Sequence, residues 1–198
     1  MINVYKYEGK NEEECRMACY DELDVYDNEI IVNIINEEDS IKMDVLKKSE
    51  IEEFINEFLT NTIEQMGIKA RVNIEEEDGI YNVRLNSKNN AILIGKEGRT
   101  LTSLQLLLRQ SIRNKTGFTI KVNLDVSNYK SRQDRSFEYE VKQIINEVMK
   151  TKVDTTLDPM NSYKRRIVHN VANNYYNIET ESIGEEPNRQ TVIKYVEK

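Results

Sequence analysis

The stretch Ala91-Ile92-Leu93-Ile94-Gly95-Lys96-Glu97-Gly98-Arg99-Thr100-Leu101 sets two glycines three residues apart between apolar flanks. Glycine lets a chain turn sharply and come close to another chain. A helix opening at Arg99 directs unpaired N–H groups out of its first turn, where negative charge is favoured. Lys96 and Arg99 add positive charge at that point. After the loop, Leu101, Leu104, Leu108 and Ile112 recur at helical spacing as far as about Lys115, and Gly117 ends the pattern. Phe118, Ile120, Val122, Leu124 and Val126 then alternate as in a strand. Before the loop, 91–94 fits one short helical turn. Ala70-Val72-Ile74 and Tyr81-Val83-Leu85 flank Asp78-Gly79 as a hairpin. Further upstream, Ser49 is placed to cap an amphipathic helix carrying Ile51, Phe54, Ile55, Phe58, Leu59, Ile63 and Met66, which Gly67 stops.

The resulting order, helix, strand, strand, short helix, GxxG, helix, strand, is that of a type II KH domain, whose GxxG loop clamps the backbone of about four nucleotides. A GxxG by itself is a weak signal, and a plain tight turn is the bland reading; the surrounding order favours the functional one. The loop is not GxxxxGK[ST], so nucleotide hydrolysis is not indicated. Arg109 and Arg113, one turn apart on the following helix, are expected to extend the basic surface.

A smaller module precedes this one. Residues 2–7 alternate like a strand, and Asn11 followed by Glu12, Glu13 and Glu14 opens a helix that ends near Leu23. Two strand-like stretches, 29–36 and 41–46, are joined by the acidic turn 37–40. Cys15 and Cys19 share one apolar stripe of that helix and are expected to be buried, reduced thiols. Two thiols and one histidine cannot make a usual structural zinc site. The third module has a long helix near 130–150, a second over about 160–174, and strands at 177–183 and 190–196. The predicted class is α+β, with modules at 1–48, 49–128 and 129–198.

The 198 residues carry 28 Lys+Arg and 35 Asp+Glu, a net charge of −7 that taken whole argues against a nucleic-acid partner. Split along the chain, residues 1–78 hold 8 bases against 22 acids (−14), and residues 79–198 hold 20 against 13 (+7). The two candidate binding motifs fall in the positive part, and the acidic part is expected to face protein. No apolar run approaches the roughly 18 residues of a membrane span, and no basic-then-apolar leader opens the chain, so a cytoplasmic protein is expected.

In the third module the chain reads Leu157-Asp158-Pro159-Met160-Asn161-Ser162-Tyr163-Lys164-Arg165-Arg166-Ile167-Val168-His169, and later 179–189 reads ETESIGEEPNR. On a helical wheel Met160, Tyr163, Ile167 and Val171 face inward, while Arg165 and His169 point to solvent. An exposed Arg-xxx-His pair suits phosphate and base contacts, and no nucleophile or metal cluster accompanies the histidine to suggest catalysis.

These residues resemble the RxxxH domain of the bacterial Jag (KhpB, SpoIIIJ-associated) family. The stretch 93–105 resembles that family's KH loop and helix, and Glu8-Gly9-Lys10 with the acidic helix resembles its N-terminal domain. The resemblance spans essentially the whole chain. It implies a non-enzymatic, cytoplasmic protein that binds single-stranded RNA, or single-stranded DNA, without cofactor or metal. It also implies post-transcriptional regulation linked to envelope growth, cell shape and division, and a small single-KH partner of the KhpA type; homodimerisation stays open. Carried over by position, Gly95, Lys96, Glu97, Gly98 and Arg99 form the loop, and Arg165, Arg166 and His169 the second contact. An adaptor near the membrane-insertion or division machinery, with RNA binding secondary, is the alternative. Glu97 stands where relatives often have a base, which weakens phosphate attraction. Lys164 replaces a residue that is often Glu. The 37–48 segment lacks the glycines usual in relatives.

Overall fold

The computed structural model describes residues 2–37 and 40–197. The chain divides into two compact units, Met1–Asn128 and Tyr129–Lys198. The described residues form an α+β fold with three three-stranded sheets, two in the first unit and one in the second. No helix among them is long and apolar enough to cross a membrane.

In the first unit, β1 (Tyr5–Gly9), α1 (Glu12–Leu23), β2 (Ile30–Asn36) and β3 (Ile41–Lys47) make an antiparallel sheet of order β1-β3-β2. The Asn11 side chain accepts from Glu14 N at 2.8 Å, and three glutamates occupy the positive end of α1. Cys15 and Cys19 are buried against Ile30, Met43 and Val45 as free thiols. Burial pushes both thiols above their usual range. The first strand starts later than the alternation suggests, because Asn3 N donates to the Glu50 carboxylate at 2.8 Å instead of joining the ladder. The expected acidic turn includes Glu38 and Asp39, which lie outside the described residues.

The second sheet rests on α2 (Lys48–Gln65), β4 (Ala70–Glu77), β5 (Ile80–Ser87), α3 (Asn90–Ile94), α4 (Arg99–Thr116) and β6 (Lys121–Val126). Its order is β4-β5-β6, with β5 antiparallel to β4 and parallel to β6. Ser49 is not the cap of α2. Strand β3 runs straight into the helix, Lys47 stands at the N-cap, and no side chain caps it. Asp78 (φ 52°) and Gly79 (φ 73°) form the hairpin turn, as two-residue connections between twisted strands require. Ile51, Ile55, Leu59 and Ile63 of α2 are buried, as are Tyr81, Val83 and Leu85 of β5 and Leu101, Leu104, Leu108 and Ile112 of α4. Strand β6 begins only at Lys121; Phe118 lies in the connection after Gly117.

The second unit packs α5 (Tyr129–Thr151) and α6 (Ser162–Ala172) on a sheet of β7 (Thr155–Thr156), β9 (Gln190–Tyr195) and β8 (Ile178–Ile183), in the order β7-β9-β8. The two-residue β7 is too short to leave a periodic signal. The core holds Val141, Ile145 and Val148 of α5, Ile167, Val168, Val171 and Ala172 of α6, and Ile178 and Ile193 of the sheet.

Candidate nucleic-acid interface

The loop between α3 and α4 follows from its glycines. Gly95 adopts φ 71° and Gly98 φ 77°, and Glu97 between them is also left-handed at φ 55°. A Cβ on Gly95 would stand 2.1 Å from Thr100 Oγ1 and 3.0 Å from Thr100 N. Only glycine fits there. Leu93 and Leu101 are buried on either side, so the loop is pinned at both ends. Between these anchors Lys96, Glu97 and Arg99 are exposed. Arg99 lies 3.4 Å from Glu97, and this solvent-exposed pair is worth little. No side chain caps the N-terminus of α4. Arg99 N–H already donates to Lys96 O, so it is the later N–H groups of the first turn of α4, flanked by two exposed cations, that the loop offers to an incoming anion.

Arg109 is committed differently from the expectation. Its Nε donates to Val122 O at 2.8 Å, and Nη2 donates to the same oxygen. Gln105 Oε1 accepts from Leu124 N at 2.9 Å. Both side chains of α4 therefore satisfy backbone groups of β6, an edge strand of its sheet. Arg113 is exposed and makes no ion pair among the described residues.

The second unit corrects the helical-wheel reading. Arg165 is buried, 6% exposed. Its Nη1 donates to Met160 O at 2.6 Å, and its Nη2 lies 2.9 Å from Glu186 Oε1. Met160 N in turn donates to Arg189 O at 3.1 Å. Arg165 thus ties the entry to α6 to the loop joining β8 and β9. His169 is half-buried, with Nδ1 2.5 Å from Thr180 Oγ1 and Nε2 3.1 Å from Ser182 Oγ, both on β8. Both ring nitrogens are engaged by the protein itself. Tyr163, expected inside, is 48% exposed, and Arg166 sits 5.7 Å above its ring. The Tyr163 hydroxyl donates to Asp134 at 2.6 Å, which holds the phenol above its usual pKa range. Lys164 lies 5.2 Å from the ring of Phe137. The outward face of α6 therefore presents Lys164, Arg166 and Tyr163, a cation and ring combination suited to phosphate contact and base stacking. Sequence reasoning missed Tyr163; the two arginines in succession were the available signal, since they cannot share one helical face. Among the described residues no group of three or more His, Cys, Asp or Glu side chains could hold a metal ion.

Two protein-family models match the chain. The KH domain of KhpA/KhpB matches residues 52–126, and the R-three-H domain matches residues 137–195. The RNA-binding protein KhpB of Clostridium symbiosum is 36% identical over 149 residues, covering 74% of this chain and 67% of that protein. The protein of the same name from Bacillus subtilis is 26% identical over 199 residues, covering 94% of this chain and 96% of its own length. That of Lactiplantibacillus plantarum is 26% identical over 137 residues, 69% of this chain and 42% of that protein. These names state a binding activity and no reaction. With both domains matched in this order and likeness to one relative running nearly end to end, the chain belongs to the KhpB (Jag) family.

Proposed function

We propose that the protein binds single-stranded RNA through the exposed Gly95–Gly98 loop and the Lys164–Arg166 face of α6, and so acts in post-transcriptional regulation. The observation that carries this reading is the loop itself: two glycines held left-handed, uncapped helix N–H groups, and Lys96 and Arg99 exposed beside them. The name of the relatives, RNA-binding protein KhpB, supports RNA over other anions. The site is then Gly95, Lys96, Glu97, Gly98, Arg99 and Arg113 in the first unit and Arg166 with Tyr163 and Lys164 in the second. Arg109, Arg165 and His169 serve chiefly to position these surfaces. The modules 1–48, 49–128 and 129–198 divide the work, the acidic first module binding protein. A small KhpA-type protein is the partner this reading assigns, the cytoplasm is its compartment, and regulation of envelope growth and division is its cellular role.

Filter binding of the full chain to an unstructured oligonucleotide across a salt series tests the reading. Phosphate-driven binding to a single strand lowers log affinity against log salt by about 0.7 per phosphate contacted. A steep negative slope is expected, and a flat one, or no binding at low salt, would contradict it.

A further inference from the structure

A second groove lies in the same unit as the loop but involves none of its residues. The connection from α2 to β4, the start of β4 and the end of β5 border an open groove of about 1160 Å³, lined by Lys69, Arg71, Lys88, Asn73, Asn86 and Asn89 among others. No carboxylate lines it. Lys69, Arg71 and Lys88 are all exposed and make no ion pair among the described residues. Two other cations at the same sheet are paired, Lys48 beside it with Glu76 at 3.0 Å and Arg84 within it with Glu75 at 3.2 Å. Lys69 and Arg71 are two of only 8 bases in the first 78 residues, where acids number 22. Three unpaired cations in one concave place are therefore not a sample of the surrounding surface.

The wall is also cross-linked by hydrogen bonds. Ser87 Oγ donates to Lys69 O at 2.7 Å, and Asn89 N donates to Ser87 Oγ at 3.1 Å. Ser87 N donates to Asn90 Oδ1 at 2.9 Å, and Asn90 Nδ2 donates to Ser127 Oγ at 2.7 Å. Ser127 Oγ donates to Asn86 Oδ1 at 2.9 Å. This chain of bonds fastens the end of β5 to the start of β4 and to the residues after β6. The amides lining the groove can both donate and accept, so they can meet a phosphate, a ribose hydroxyl or a base edge.

Position gives the ligand. Asn89 borders the groove and directly precedes α3, whose five residues lead into Gly95. At 1.5 Å per residue α3 rises about 7.5 Å, on the order of two phosphates at the ~3.4 Å spacing of a stacked strand. We infer that the Lys69–Arg71–Lys88 groove is a second backbone-binding site for the same single strand, extending the contact beyond the nucleotides at the Gly95–Gly98 loop. The inference rests on the RNA-binding reading above. It assigns a site that straddles the acidic and the basic parts of the sequence, with Lys69 and Arg71 in the first and Lys88 in the second.

The test compares the full chain with the triple variant Lys69→Gln, Arg71→Gln, Lys88→Gln, binding oligouridylates of about 4 and about 12 nucleotides across a salt series. The shorter oligomer is taken up mostly by the loop, so the variant should lose less affinity for it than for the longer one. For the longer one the variant should lose on the order of 10- to 100-fold in affinity near 0.1 M salt, with the slope reduced by up to about 2. The charge-keeping variant Lys69→Arg, Arg71→Lys, Lys88→Arg should stay close to the parent, separating charge from packing. If the parent binds the longer oligomer and the triple variant matches it in affinity and slope, the groove is not an RNA site. An acidic peptide such as polyglutamate bound by the parent and lost in the triple variant, with RNA binding unchanged, would overturn the inference in favour of a protein ligand. If the parent binds neither oligomer, the RNA-binding reading fails and takes the groove with it.

Discussion

The Gly95–Gly98 loop and the Arg165–His169 cluster carry motifs of similar brevity and use them in opposite ways. In the loop the glycines bend the chain, Gly98 itself buried, and the residues between and after them, Lys96, Glu97 and Arg99, are left to solvent. In the cluster the motif residues turn inward. Arg165 fastens Met160 and Glu186, and His169 bridges two hydroxyls of β8. The outward chemistry falls to their neighbours Lys164, Arg166 and Tyr163. A short motif can thus mark either the contact itself or the scaffold beneath it, and burial distinguishes the two.

The largest effect that would break this contrast is on stability. Arg165→Ala removes charge-assisted hydrogen bonds from a buried guanidinium and should cost about 2 kcal/mol in denaturant unfolding. Arg166→Ala, on an exposed position, should stay within about 0.5 kcal/mol yet weaken RNA binding. Equal stabilities for the two variants would erase the distinction between scaffold and contact. Comparable in size is the loop: Gly95→Ala forces a Cβ against Thr100 at a left-handed φ and should cost about 1–3 kcal/mol. That strain makes it a poor probe of binding, so Glu97→Lys is the cleaner one. Glu97 is exposed, and replacing it should tighten RNA binding and steepen the salt slope by roughly 0.7. A slope unchanged by Glu97→Lys would place the backbone elsewhere.

The smallest expected effect concerns pH. Glu76 has its carboxyl held below the usual range by the Lys48 ammonium and the Gly79 N–H. Glu181 is lowered by Lys194. A carboxyl with a depressed folded pKa stabilises fully above its unfolded pKa, about 4.3, and loses that contribution as pH falls through the folded value. Unfolding followed from pH 6 downward should show Glu76→Gln flattening the acid dependence. Glu181→Gln should do less, because both partners of its pair are more exposed. The reverse ranking would mean that the exposed pair matters more than the half-buried one.

Much of the fold was legible because periodicity and glycine carry it. Leu101, Leu104, Leu108 and Ile112 are all buried as their spacing implies, and Gly67, Asp78-Gly79 and Gly117 all mark turns. What sequence could not show depends on distant partners. A helical wheel sends Arg165 outward because it assigns charge to water; Met160 O, five residues back, and Glu186, twenty-one residues on, give the guanidinium its reason to be buried. Likewise Ser49 has the chemistry of a cap, but continuous passage from β3 into α2 leaves it inside the helix. Arg109 reads as a free cation until β6 presents Val122 O to it.

In the proposed binding mode the loop touches RNA directly while Arg165 and His169 hold the second surface in shape. Two-dimensional NMR of the full chain titrated with a short oligouridylate tests it most directly. The account predicts that backbone amides of Gly95–Arg99 shift first and furthest, with Lys164 and Arg166 following and the Arg165 guanidinium signals unmoved. Large shifts at the Arg165 and His169 side chains, with the loop amides unchanged, would contradict it.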